Sequence, residues 1–250
     1  MAKRMALGTK GKRPGMFKQA VERLIAWSYS RWKDYEKCPA YCKFKHILRM
    51  REPDNDAMAN GTIVHQLGDK HVRGVLKKFP KELGVFQQEF KVLQANNAQT
   101  EQEWAFDRAY NQVSWFSKEA WLRIKVDAHY LVQRARKAAT KNRGLVQTTV
   151  TIVDYKTGKN HADHAQQRSL YALGGFVMYP DAVEVIAEHW YIDSGEIESD
   201  TFLAKDLPKL QKQWEQRTRA MLADTTFVPR PGAYCRWCAF SKVKGGPCKF

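Results

Sequence analysis

An aspartate and a lysine two residues apart close the apolar run VTIVDYKTGK at 150–159. On a strand, positions i and i+2 point to one face, so Asp154 and Lys156 would stand together in phase with Val150 and Ile152, with Val153 opposite. An acid and a base at the end of a strand with two apolar faces are costly to bury unless they pair or bind something. A plain Asp–Lys ion pair is one solution. A second carboxylate points to another: LRIKVDAHY puts Asp127 behind apolar residues on a neighbouring strand, where hairpin pairing brings it beside Asp154. Two close carboxylates repel each other, and a divalent cation relieves that repulsion. Oxygen-rich donors suit magnesium or manganese. His65, in GTIVHQLGDKH, lies on an early turn of an amphipathic helix, with Gly61 permitting close approach; its type fits either a third ligand or a structural histidine.

The cysteines form a second grouping. Cys235 and Cys238 make a CxxC, Cys248 follows near the chain end, and Cys38 precedes Pro39 far upstream, with Cys42 one helical turn on. Five cysteines without a secretion signal argue against a disulfide framework and for a reduced, cytoplasmic setting in which clustered thiols bind metal.

The chain has 250 residues, 44% of them apolar, enough for one sizeable core, and a formal charge of +16. A field of that sign attracts polyanions, which makes nucleic acid the leading partner. No apolar run approaches the roughly 18 residues of a bilayer span, so no membrane partner is expected. Residues 1–20 carry six Lys or Arg and no acid and read as a basic arm. Further basic segments lie at 77–81 and 134–143, and Trp32, Trp115 and Trp237 are available either for packing or for stacking on unpaired bases.

The elements that must position these groups follow from periodicity. Residues 27–50 read as one Ser-capped helix, 51–61 as a break, and Thr62–Phe79 as a helix capped by Gly61 or Thr62. GVFQQEFKVLQ and EWAFD read as strands, and AWLRIKVDAHYLV with LVQTTVTIVDYKT as a hairpin whose long tip is positively charged. DHAQQRSLYALGGFVMY reads as a helix, followed by two strands joined around DSG, a helix over KDLPKLQKQWEQRTRAMLA, and an irregular Cys-bearing tail. That order predicts an α/β (α+β) fold with a mixed sheet and helices packed against it.

Taken in order, YSRWKDYEKCPAYCKFKH, GTIVH, the Asp of IKVDAHY, VDYKTGK, QQRSLYAL and the terminal Cys group resemble the RecB-like branch of the PD-(D/E)XK nuclease superfamily. That branch includes AddAB nuclease domains, CRISPR-adaptation exonucleases and phage recombination exonucleases. The resemblance implies a restriction-endonuclease-like core over 21–230 and a Cys module over 231–250 that closes onto Cys38. It implies that His65, Asp127, Asp154 and the Tyr155 carbonyl ligate the metal and that Lys156 orients the attacking water. Gln167 and Tyr171 match the QxxxY element behind the site, and Glu89 is a candidate for an acid on a preceding strand. Cys38, Cys235, Cys238 and Cys248 would hold a [4Fe–4S] cluster, or alternatively zinc. The implied activity is a metal-dependent DNA exonuclease of recombination or repair, phage type, with a recombination or single-strand-binding protein as a partner. The competing readings are a non-catalytic DNA-binding protein on the same fold and a zinc-stabilised nucleic-acid adaptor.

Overall fold

The computed structural model describes residues 23–53, 56–136, 145–159 and 163–250. The basic arm over 1–20 and the hairpin tip over 137–144 lie outside the described residues.

Helix α1 (Tyr29–Lys37) is capped by the Ser28 hydroxyl, which accepts from the Arg31 amide at 3.4 Å. The single helix expected over 27–50 breaks at Cys38. Pro39 lacks an N–H, and Cys38 before it is held extended (φ −166°, ψ 122°), so the chain restarts as the short α2 (Pro39–Cys42) and a π-helical turn over Lys43–Ile47. Helix α3 spans Asp56–Val72, which places Gly61 and Thr62 inside it rather than at its cap. The run DAMAN, read as a break, supplies helix formers and an acid in the first turn, and the roughly 1 kcal/mol cost of Gly61 is tolerated.

GVFQQEFKVLQ, expected as a strand, forms α4 (Gln87–Ala95). Phe86, Phe90 and Leu93 are buried at helical spacing, and that period wins over the aromatic and β-branched content. The sheet follows: β1 (Gln99–Phe106), β2 (Gln112–Val113), β3 (Leu122–Arg136) and β4 (Leu145–Lys156). Helix α5 (His164–Met178) then carries the chain to β5 (Ala182–Tyr191), which turns into β6 (Glu196–Leu203) and leads to α6 (Leu207–Ala223). Strand order is β2-β1-β3-β4-β5-β6, with β4 and β5 parallel and every other neighbour antiparallel. This is the mixed sheet flanked by helices that the sequence predicts. None of the helices described is long and apolar enough to cross a membrane.

Strand β4 alternates between two cores. Val150 and Ile152 pack with Leu170 and Leu173 of α5 and with Trp214 of α6 on one face. Val153 and Tyr155 pack with Val64 of α3 and with Phe90 and Leu93 of α4 on the other. The close approach of α3 to β4 depends on Gly68, where an added Cβ would lie 2.7 Å from the Tyr155 ring; at Gly61 it would meet only Thr157, at 3.4 Å. Gly68→Ala should therefore cost roughly 1–3 kcal/mol by overpacking, read as a lower urea midpoint. An unchanged midpoint would show that α3 does not need the glycine.

Candidate active site

Strands β1 and β3 pair in one register from Gln99↔His129 to Phe106↔Leu122, but the rung between Thr100↔Ala128 and Gln102↔Val126 is broken. That rung is Glu101 opposite Asp127. Glu101 adopts φ +51°, a left-handed conformation uncommon for a residue with a side chain and concentrated at functional sites. Alternation in β3 inverts at the same point. Ile124 and Val126 belong to the core beneath α5, whereas Ala128 belongs to the core beneath α3 and α4. The β3–β4 ladder ends at Ala128↔Val153, and one further step in that register sets Asp127 opposite Asp154. Asp154 in turn pairs with His189 of β5, and His189 with Glu198 of β6. Acidic side chains of three adjacent strands are thereby brought to one level of the sheet.

Asp127 is buried and held from two sides: its Oδ2 accepts from the Tyr155 amide at 2.8 Å, and its Oδ1 lies 3.1 Å from Nδ1 of His65 on α3. Burial and the neighbouring Asp154 charge push the Asp127 carboxyl up. Burial would push Asp154 up as well, but Lys156 overrides it and holds that carboxyl down. Lys156 Nζ sits 2.5 Å from Asp154 Oδ2 and donates to Gln167 Oε1 at 2.9 Å. Tyr171 OH and Gln167 Nε2 both donate to Asp154 Oδ1, and Gln167 Nε2 also donates to Tyr171 OH at 2.7 Å. Asp154, Lys156, Gln167 and Tyr171 thus form one bonded group.

His189 backs this group. Burial pushes it down to about 3, so it is neutral. Arg168 Nη1 lies 3.3 Å from its Nδ1, which leaves the proton on Nε2, 3.8 Å from Asp154 Oδ2. Arg168 is itself paired with Glu198 and Asp200, each at 2.7 Å.

The donor set fits a hard divalent cation. His65, Glu101 and Asp127 place one ligand atom each within 4.8 Å of one another, the spread expected around an ion with bonds of about 2.0–2.6 Å. One buried carboxylate oxygen, Glu101 Oε1, has no hydrogen-bond donor. Of the sequence-derived trio, His65 and Asp127 belong to this group and Asp154 does not; the third place is taken by Glu101, a residue that sequence reasoning missed. The acid sought at Glu89 is on β1 at Glu101, because Glu89 lies half-exposed on α4 rather than on a strand.

Trp32 packs in the core at 5.3 Å from Trp214 and is not available to stack on a base. Trp237 is 67% exposed beneath the Arg236 guanidinium, 3.8 Å from the ring centroid. Trp115 is half-buried beneath Arg123.

Cys38, Cys235, Cys238 and Cys248 line one enclosed pocket between α2 and the tail. The Arg230 amide donates to Cys38 Sγ and the Gly232 amide to Cys235 Sγ, each at 3.3 Å. Burial would push the Cys38 thiol up, yet the Arg230 amide, the Tyr234 hydroxyl and the Tyr41 and Ala40 amides bring it down. Cys42 faces away into the main core, donates to the Arg31 carbonyl at 3.6 Å, and is pushed up to about 12 by burial.

A family model described as the PD-(D/E)XK nuclease superfamily matches residues 26–145 and 145–243. No curated protein is significantly similar in sequence. Among solved structures, a protein from Eubacterium rectale assigned as an exonuclease is similar at 15% identity over 92% of this chain and 93% of that one, with a TM-score of 0.48. A second, SSO0001, is similar at 16% identity over 93% and 90%, with a TM-score of 0.37.

Manganese titrated into the protein should bind less tightly as pH falls. Burial opposes protonation of His65, but Asp127 outweighs it and raises the imidazole above its ordinary value, so protons compete for Nδ1 through and below neutrality. Glu101→Gln should weaken binding by about tenfold or more, since even outer partners of metal ligands matter that much. Wild-type manganese affinity in Glu101→Gln would remove Glu101 from the site.

Proposed function

Because the chain belongs to the PD-(D/E)XK nuclease superfamily, we propose that it is a magnesium- or manganese-dependent deoxyribonuclease working from DNA ends. The observation that carries this reading is the broken rung, which gathers Glu101 and Asp127 with His65 and sets Asp154, paired with Lys156, on the adjoining strand. His65, Glu101, Asp127 and Asp154, with the Tyr155 carbonyl, would hold the cation. When bound, the ion supplies Lewis-acid polarisation of a phosphate oxygen and a more acidic water. Lys156 orients the attacking water and faces the negative charge that develops on the phosphate oxygens. Gln167 and Tyr171 fix the Asp154 rotamer, and Gln167 also holds the Lys156 ammonium, so acid and base are aimed by the same helix. The exonuclease assignment and a place in recombination or repair, phage type and alongside a recombination or single-strand-binding protein, rest on the ordered motif resemblance.

We assign the four-cysteine pocket to a structural [4Fe–4S] cluster. The four cysteines line one pocket, and the ordered motif resemblance favours a cluster over a single ion. The cluster would tie the tail to the start of α2 through Cys38.

Linear DNA with magnesium should be degraded by the wild type and not by Asp154→Ala; equal rates would remove the proposed site. Lys156→Ala should slow cleavage by about a hundredfold or more while changing DNA binding little; parallel losses in the two would make Lys156 a binding residue. Protein purified without oxygen should be brown, with about four irons and four acid-labile sulfides per chain. A colourless protein with one zinc would overturn the cluster assignment.

A further inference from the structure

Three adjoining cavities make a continuous track away from the acidic rung. The first is lined by Gln167 and Tyr171, which hold Asp154, together with Arg31, Trp115 and Arg123. The second shares Arg31 and Arg123 with the first and adds Arg49, Phe116 and Lys118. The third shares Arg23, Ile25 and Lys118 with the second and ends against Arg108. The floor of the track is the segment that runs along β3 through the Trp27↔Leu122 bridge, and its wall is the loop before β3.

Asp107 and Glu119 line the far cavity, but the arginines nearer the acidic rung have no acidic partner. Among the described residues no carboxylate lies within ion-pair distance of Arg23, Arg31, Arg49 or Arg123. Burial lowers the Arg31 pKa, and the neighbouring Arg123 and Arg49 charges lower it further, so the three guanidinium groups repel one another. Arg123 Nε is buried without a hydrogen-bond partner. Arg49 is held at φ +55°, a conformation disfavoured for a residue with a side chain. A run of phosphates would relieve the repulsion among the three guanidinium groups.

The aromatic residues decide which polyanion. Phe116 is 85% exposed, and Ile25, on the facing side of the same cavity, is 70% exposed. Trp115 lies beside them with Arg123 over its ring at 5.5 Å. Aromatic faces bind the faces of unpaired bases, and a duplex keeps those faces stacked inside. We propose that this track binds an unpaired DNA strand, with Trp115 and Phe116 stacking on its bases and Arg31, Arg49 and Arg123 on its phosphates, and feeds it to the metal site. The proposal rests on the nuclease reading for what happens at the end of the track, but not for the binding itself.

Anisotropy of a fluorescein-labelled oligothymidine and of a duplex of equal length, in calcium to suppress cleavage, tests it. Phe116→Ala, whose side chain is exposed, should weaken single-strand binding by roughly tenfold and leave the duplex much less affected. Trp115→Ala should do the same. Arg49→Gln and Lys118→Gln should each reduce the salt slope of single-strand binding by about 0.7. Losses of less than twofold, or equal losses for strand and duplex, would overturn the track. Hydrolysis of the p-nitrophenyl ester of thymidine 5′-monophosphate by the unaltered protein with manganese tests the metal site separately. That ester is too small to occupy the track, so its failure would count against the nuclease reading while the anisotropy still decides the strand path.

Discussion

Buried like charge is the constraint around which this molecule is arranged. Asp127 and Asp154 are both nearly inaccessible to solvent, and Glu101 joins them at the same level of the sheet. In a medium of low polarity such carboxylates cannot all ionise unless cations or donors face them. Each is answered from a different element. Helix α3 offers His65 to Asp127, β4 offers its own Lys156 to Asp154, and α5 offers Tyr171 and Gln167. Lys125 pairs with one Glu101 oxygen at 2.6 Å. One buried oxygen, Glu101 Oε1, is still without a donor, and a divalent cation would complete the balance.

The two cores exist on terms set by that rung. One face of β4 must admit α5 closely enough for Tyr171 to reach Asp154, and the other must admit α3 closely enough for His65 to reach Asp127. Gly174 and Gly175 do the first. An added Cβ at Gly174 would lie 2.5 Å from Ile124, and one at Gly175 3.1 Å from Ile152 and Val185. Gly68 does the second against Tyr155. Both helices are thus seated by missing side chains at contact points, a tolerance finer than hydrophobic burial alone imposes.

That division explains what could be read from the chain. The hairpin carrying Asp127 and Asp154, the parallel crossover helix with Gln167 and Tyr171, and the i, i+2 pairing of Asp154 with Lys156 follow from period and spacing, which are local properties. Glu101 did not, because its position depends on a broken rung and a positive φ that no alternation pattern encodes. Residues 85–95 were misread because Val85, Phe86, Phe90 and Val92 satisfy strand composition, while the deciding signal was the burial spacing of Phe86, Phe90 and Leu93. The start of α3 was placed too late because Asn60 and Gly61 look like punctuation, although tertiary packing accommodates them.

Helix α1 links the parts that the sequence separates most widely. Its first turn presents Arg31 to the cationic track, and Tyr29 OH donates to the Asp163 carbonyl at the cap of α5 at 2.9 Å. Lys33 pairs with the Asp163 carboxylate. At the other end, Tyr35 OH donates to Asp224 behind α6 at 2.9 Å, and the helix stops at Cys38, whose sulfur faces the tail cysteines. Its inner face is fixed by Trp32 against Trp214. A group bound by the four cysteines therefore acts on the remote end of a short lever whose near end borders the acidic rung. The carboxylates themselves stand on β1, β3 and β4, whose ladders do not depend on that lever. Loosening the cysteine module would then disturb the approach to the site before it disturbed the site, so a group bound there would bear on function without any electron transfer.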